Sequence, residues 1–315
     1  METSNSIYCA TEGKGNGSLQ TCSGKIEWCY RPLQVSLELI TLDIGRAQPL
    51  LLCPRWSLLY NAARVPGRPM LNHTRPGTSS GNRLLARLHE SEYQRLIPAL
   101  EAVSWGSGHV LYEARAPIDF AYFPTRGTAS ALTIMEDGSA IEVATIGNEG
   151  IVGMTLAIGA EASPNKVIVQ VPGAALRMKA SAFKKEAAQD GPFRRLLYLY
   201  HSAFLTQVSY SVACNGLHSA QQRCCRWLLM TQDRSQGDKS IRLTHEFLGF
   251  MLGVRRSTVT DVLQPLQDAG IIRNGRGEIT ILDRPRMEAE CCECYRQVNE
   301  EYDRLFAVPR DDVAV

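Results

Sequence analysis

Between Thr244 and Ile272 the chain reads THEFLGFMLGVRRSTVTDVLQPLQDAGII, and this stretch restricts the fold more than any other. Thr244 is suited to cap a helix, because its hydroxyl can accept one of the backbone N–H groups that the first turn leaves unpaired. Phe247, Leu248, Met251 and Leu252 then recur at helical spacing and make one apolar face. Gly253 follows, and glycine readily takes the left-handed conformation that ends a helix. A second helix is expected over Arg255–Ala269, closed by Gly270, with Val259, Val262, Leu263 and Leu266 as its buried stripe. Its other face carries Arg256, Ser257, Thr260 and Gln264. Arg255 and Thr258 flank that face near the helix start, where anions are favoured.

The next residues, Ile271 to Ile281, place Asn274-Gly275 between two β-prone runs, a strong hairpin signal. Two helices around a glycine turn followed by a hairpin make a winged helix-turn-helix, a form that sets its second helix in the DNA major groove. Two packed helices and a hairpin need not bind anything. The arginines and hydroxyls at the open start of the second helix turn the geometry toward nucleic acid. The expected DNA contacts are Thr244, Arg255, Arg256, Ser257, Thr258 and Thr260, with Arg273 and Arg276 on or beside the wing. Between Ser240 and Arg286 there are seven Arg against five Asp or Glu. Affinity would therefore rest on a few placed arginines and on dimerisation rather than on a broad basic field.

At 315 residues and a formal charge of +2, the chain has room for two domains. No apolar run reaches membrane-spanning length, since Leu33–Tyr60 is broken by Glu38, Asp43, Arg46 and Arg55. No basic leader followed by an apolar core opens the chain. The expectation is a cytoplasmic protein with reduced cysteines and no membrane partner.

Residues 1–80 differ in composition from the rest, with a dense cluster of turn formers from Val65 to Gly81. Residues 1–69 read either as an upstream extension of the frame, with Met70 as the natural start, or as a flexible extension. Helix is expected over Arg83–Leu100. Short strands follow at Val103–Trp105, Val110–Tyr112, Phe120–Phe123, Ala131–Met135, Ile141–Ile146 and Val167–Val171, with a hairpin at Glu136–Ser139. This spacing suggests a small antiparallel barrel or sandwich over residues 81–190.

A long helix over 191–216 starts at Gly191-Pro192. Phe193, Leu196, Leu197, Tyr200, Ala203, Phe204, Val208, Ser211 and Val212 recur near every 3.5 residues, as in a coiled-coil seam between two copies. An ordinary packed helix would show the same pattern. His218–Asp233 is a further helix leading into the winged domain, 217–284. A last helix, Pro285–Phe306, carries Cys291, Tyr295, Val298, Tyr302 and Leu305 on one stripe and is expected to pack on the wing domain or its partner, within a C-terminal segment 285–315. The fold class is thus α+β: an antiparallel barrel or jelly roll, a long dimerisation helix and a C-terminal winged helix-turn-helix.

That order resembles the Crp/Fnr family of bacterial transcription regulators. The residues that carry the resemblance are Gly147-Asn148-Glu149-Gly150-Ile151-Val152-Gly153 and Leu252-Gly253-Val254-Arg255-Arg256-Ser257-Thr258-Val259, within a similarity covering about residues 82–284. The resemblance implies a homodimer on double-stranded DNA, RNA polymerase as a partner, a base-contacting arginine at Arg256 and a backbone-facing hydroxyl at Thr258. Ser257 stands where an acidic residue commonly follows the arginine, and Asp261 at a later basic position, so a different base sequence is implied. Pro265 should bend the second helix beyond its groove-facing half.

Relatives that bind cyclic nucleotides hold the ribose with a glutamate and the phosphate with an arginine followed by Ser or Thr. Glu149 matches the glutamate, but Asn165 and Lys166 occupy the other two places, and a lysine lacks the guanidinium fork. A vestigial pocket is therefore expected, with no cofactor. Cys9, Cys22, Cys29 and Cys53 are too widely spaced for the iron–sulfur ligation of the oxygen-sensing relatives. Cys291 and Cys294 lack a second pair at matching spacing, so no metal is expected. No phosphate loop, nucleophile elbow or zinc-protease signature suggests an enzyme. The competing reading is a ligand-binding or scaffold module whose helix-turn-helix no longer binds DNA.

Overall fold

The computed structural model describes residues 81–234, 240–275 and 277–307, together with the backbone of a short antiparallel ribbon, β1 (Cys29–Tyr30) and β2 (Leu33–Gln34). The ribbon belongs to one compact unit, residues 1–72, and everything below belongs to the second, 73–315. The two readings of residues 1–69, and the proposed start at Met70, lie outside the described residues.

The helix expected over Arg83–Leu100 is broken. A 3-10 turn at Leu85–Arg87 leads to α1 (Glu90–Leu96) and a second 3-10 turn at Ile97–Ala99. Leu88 and His89 are extended, with ψ of 148° and 150°. That kink lets Tyr93 and Leu96 reach the same core as Leu84 and Leu85. Asn82 anchors the segment: its Nδ2 donates to the Pro124 and Gly150 carbonyls at 2.8 and 2.9 Å, and its Oδ1 accepts from Leu85 N at 3.0 Å.

The sheet contains β3 (Glu101–Trp105), β4 (Val110–Tyr112), β5 (Phe120–Ile134), β6 (Ala140–Ile146) and β7 (Lys166–Lys179). Its order is β3-β7-β5-β6, with β4 also on β7, and every pairing is antiparallel. Two of the strands are longer than expected. Phe120–Phe123 and Ala131–Met135 are the ends of one strand, β5, and Val167–Val171 is part of β7. The strands survive the apparent break at Arg126-Gly127-Thr128 because bulges absorb it. Gly127 has φ of +80°, and a Cβ there or at Gly173 would strike the opposing backbone. The ladder does not close into a barrel among the described residues: β3 pairs only with β7 and β6 only with β5. The turn at Glu136–Ser139 is present, closed by Met135 N donating to Ser139 O at 2.8 Å.

After β7 come α2 (Ala180–Ala187) and α3 (Pro192–Leu217), the expected long helix. The face read as a seam is mostly consumed within the chain. Phe193, Leu196, Leu197, Tyr200 and Ala203 are at most 1% exposed, in one core with Phe123 and Phe183 from the sheet and α2.

The winged domain is formed by α4 (Ala220–Arg234), β8 (Ser240–Arg242), α5 (His245–Leu252), α6 (Arg256–Asp268), β9 (Ile272–Gly275) and β10 (Glu278–Ile281). Its core also takes in Leu132 and Ile168 from the sheet. The last helix is two helices, α7 (Arg284–Ala289) and α8 (Cys294–Ala307). α8 packs along α3 rather than on the wing, with Val298, Tyr302 and Leu305 in the core around Tyr200. Cys291 is half-buried, and Cys292 and Cys294 are the buried thiols of the joint.

Candidate nucleic-acid interface

The helix-turn-helix forms as its residues dictate. Thr244 caps α5, its Oγ1 accepting from Phe247 N at 3.1 Å. Gly253 ends α5 with φ of +63°. Gly249 keeps the turn tight: Val254 N donates to its carbonyl at 2.9 Å, and a Cβ at Gly249 would lie 2.8 Å from the Val254 oxygen. Arg223 of α4 donates to the Leu252 carbonyl at 3.0 Å, so the C-terminus of α5 is also satisfied.

Val259, Leu263 and Leu266 bury the inner stripe of α6 at 1% exposure or less. Each contributes on the order of 1.5–3 kcal/mol by its burial. The other face is thereby fixed outward: Arg256, Ser257, Thr260 and Gln264 are exposed, as is Arg255 just before the helix, while Thr258 is half-buried. α6 runs through the exposed Pro265 to Asp268 without interruption.

One open cleft, about 380 Å³ in volume, is lined by Thr244, His245, Glu246, Arg256, Gly275 and Gly277 along with Leu243. It brings Thr244 and Arg256 together against the wing. Arg273 is exposed on β9. Arg276 lies outside the described residues.

Sequence reasoning missed how the wing is held. His245, the first residue of α5, links three elements. Its Nδ1 is 3.2 Å from Thr260 Oγ1 on α6, and its Nε2 is 3.0 Å from Asn274 Nδ2 on β9. Thr260 Oγ1 also donates to the Arg256 carbonyl at 3.4 Å. The arrangement calls for the imidazole proton on Nδ1, so that Nε2 can accept from Asn274. Asn274 N in turn donates to Gln267 Oε1 at 3.1 Å, tying the wing to the far end of α6. Thr260 is thus a bracing residue as well as an exposed one. The hint in the sequence was a histidine one position after a cap, with an Asn at the hairpin turn. His245→Ala is expected to cost about 1–2 kcal/mol in thermal unfolding. Amide exchange in β9 and β10 should quicken, and unchanged exchange there would show that the apolar core alone holds the wing.

The three residues of the expected effector pocket each have partners of their own. Glu149 is 4% exposed and faces inward, its Oε1 accepting from Gly147 N at 3.0 Å and from Arg234 Nε at 2.7 Å. Asn165 donates to Thr133 Oγ1 at 3.0 Å. Lys166 pairs with Glu113 at 3.0 Å near the surface. Arg234, at the end of α4, also donates to Gln207 Oε1 on α3 at 3.2 Å and to the Met230 carbonyl at 3.0 Å. Tyr302 of α8 donates to the same Gln207 oxygen at 3.2 Å, and Gln207 Nε2 donates to the Thr145 carbonyl at 2.9 Å. Burial is the largest single influence and works to lower the Arg234 pKa, but the Glu149 carboxylate, Tyr302 and Asp233 together outweigh it and the net shift is upward.

No curated protein sequence matches the chain significantly. Two family models do. Residues 102–190 match the cyclic nucleotide-binding domain, and residues 222–290 match the Crp-like helix-turn-helix domain. Among solved structures, the chain is similar to FixK2 from Bradyrhizobium japonicum at 19% identity and a TM-score of 0.54, over 61% of this chain and 98% of that one. A Crp/Fnr regulator from Eubacterium rectale is similar at 17% identity and a TM-score of 0.52, over 66% and 96%. The c-di-GMP-responsive global regulator CLP of Xanthomonas campestris matches at 14% identity and a TM-score of 0.50, over 61% and 99%. With both domain models present in the family's order, on an antiparallel sheet, a long helix and a winged helix-turn-helix, this chain belongs to the Crp/Fnr family of transcriptional regulators.

Proposed function

We propose that the chain is a homodimeric regulator that reads a two-fold symmetric promoter site through α6 and the residue before it. The carrying observation is the face of α6: its apolar stripe is sealed in the core, which leaves Arg255, Arg256 and Ser257 exposed at its start. In this reading Arg256 contacts a base edge. Arg255, Thr258 and Thr244 serve the phosphate backbone, and Arg273 and Arg276 approach it from the wing. RNA polymerase is the further partner that family membership suggests. Selection of bound sites from random double-stranded DNA is expected to return inverted half-sites about one helical turn apart. Enrichment of single, unpaired sites would refute the dimer, and no enrichment would refute DNA reading.

The dimer rests on a stripe of α3 that shares only Val212 with the seam the sequence suggested. Tyr198, Leu205 and Val212 are 45, 56 and 65% exposed and stand seven residues apart. Small residues, Ser202, Ser209 and Gly216, follow each by four and would let a second helix approach. Leu205→Glu places like charges face to face across that seam, which costs several kcal/mol and should raise the dimer dissociation constant on the order of 100-fold or more. Sedimentation would read this directly. An unaltered dimer would move the interface elsewhere.

The signal is not a cyclic nucleotide bound in the manner of the relatives that take one. The glutamate that would hold a ribose is occupied by Arg234, and neither Asn165 nor Lys166 offers the arginine fork. Isothermal titration with cyclic AMP is expected to show no binding. Saturable binding that Glu149→Gln abolishes would overturn this.

A further inference from the structure

Four side chains meet at the joint where α3 hands over to α4. Cys214 sits in the last turn of α3, and His218 follows one turn later, its backbone N–H closing on the Cys214 carbonyl at 3.1 Å. Cys292 and Cys294 come from the non-helical link between α7 and α8 and from the first residue of α8. The three sulfurs and a ring nitrogen all lie within 4.8 Å of one another. Cys214 Sγ is 3.5 Å from Cys292 Sγ, and Cys294 Sγ is 3.6 Å from His218 Nδ1.

These separations match the edges of a coordination tetrahedron. Zinc bonds of about 2.3 Å to sulfur and about 2.0–2.1 Å to nitrogen give S···S edges of about 3.8 Å and S···N edges of about 3.6 Å. The surroundings fit as well. His218 Nε2, the nitrogen turned away from the sulfurs, is 3.3 Å from the Glu293 carboxylate. A carboxylate on the far nitrogen orients a ligating histidine and raises its basicity. The Cys294 backbone N–H is directed at the Cys292 sulfur, as suits a thiolate. Arg226 lies close enough to act on the Cys214 and Cys294 thiols; it is 7% exposed, and its Nε has no hydrogen-bond partner. Among the described residues no carboxylate pairs with it within 4.0 Å. A divalent ion with three thiolates and one neutral imidazole carries a net charge of −1, which would balance this buried cation.

We propose that Cys214, His218, Cys292 and Cys294 form a structural zinc site. Three sulfurs and one nitrogen suit a closed tetrahedral site with no position left for substrate. Binding would transfer the thiol protons to solvent. The ion would clasp the end of α3 to the start of α8, across the joint that leads to the winged domain. This holds whether or not the chain reads DNA.

The full chain, purified under reducing conditions without chelator, is expected to carry about one zinc per chain. Its cobalt-exchanged form should show the intense visible bands of tetrahedral cobalt and a sulfur-to-metal charge-transfer band. Cys292→Ser should lose both signatures, while Cys291→Ser, one residue away and outside the set, should keep them. Chelation should lower the unfolding temperature of the wild type but not of Cys292→Ser. Zinc retained in Cys292→Ser, a metal-free wild type with no cobalt bands, stoichiometric iron with sulfide, or a Cys214–Cys292 disulfide in place of metal would each overturn the proposal.

Discussion

Arg234→Ala is expected to destabilise the fold by about 3–5 kcal/mol, the cost of removing one partner of a buried ion pair and leaving the other charged. Both side chains of the Arg234–Glu149 pair are 5% exposed and the contact is 2.7 Å. The guanidinium does more than neutralise Glu149. It serves the Met230 carbonyl and Gln207 Oε1 and lies 5.8 Å from the centre of the Tyr302 ring. Four segments therefore lose a partner at once: the β6 loop, α3, α4 and α8. Replacing both charges, as Arg234→Met with Glu149→Gln, removes the stranded carboxylate. The double variant should fall well short of the sum of the single losses. Chemical denaturation of Arg234→Ala, Arg234→Met, Glu149→Gln and the double variant would measure this. An Arg234→Ala protein within about 1 kcal/mol of wild type would show that water or a neighbouring group satisfies Glu149, contrary to its burial.

Arg256→Ala should weaken binding to the selected DNA site by about 1–3 kcal/mol, roughly 5- to 150-fold, and relax the base preference at one position in each half-site. Arg256 opens α6 on an exposed turn, next to the cleft it shares with Thr244 and the wing glycines. Arg255 precedes the helix as its N-cap residue, φ −69° and ψ 152°, and is the proposed phosphate contact. Arg255→Ala should therefore weaken binding uniformly across sequences and reduce the salt slope by about 1. Fluorescence anisotropy at several salt concentrations separates the two behaviours. If Arg256→Ala behaves as Arg255→Ala should, the recognition assignment fails.

The helix-turn-helix was readable because its determinants are local. Thr244, Gly253 and the stripe Val259, Leu263, Leu266 act within one or two turns of themselves, so spacing alone specifies them. Distant partners were not readable. Nothing near Glu149 in sequence announces Arg234, 85 residues on. β5 was not legible as one strand because its middle holds Gly127, and a glycine marks a turn and a bulge alike. Apolar period in α3 revealed that faces are buried, but not that α8 and the sheet cover one of them. That left Tyr198, Leu205 and Val212 as the open stripe. The thiol cluster was hidden by the break between α7 and α8. A continuous helix would have put Cys291 on the stripe, whereas the break places Cys292 and Cys294 against Cys214.

α4 belongs to two interiors. Leu228 lies in the core of the winged domain, and Met230, two residues on, lies in the core of the sheet. Trp227 Nε1 donates to Glu142 of the sheet at 3.3 Å, and Thr231 Oγ1 accepts from Gln170 at 3.0 Å. Neither interior can lose this helix and stay closed. The sheet domain and the winged domain should therefore melt as one cooperative unit in calorimetry, with equal van't Hoff and calorimetric enthalpies, instead of as two separate transitions.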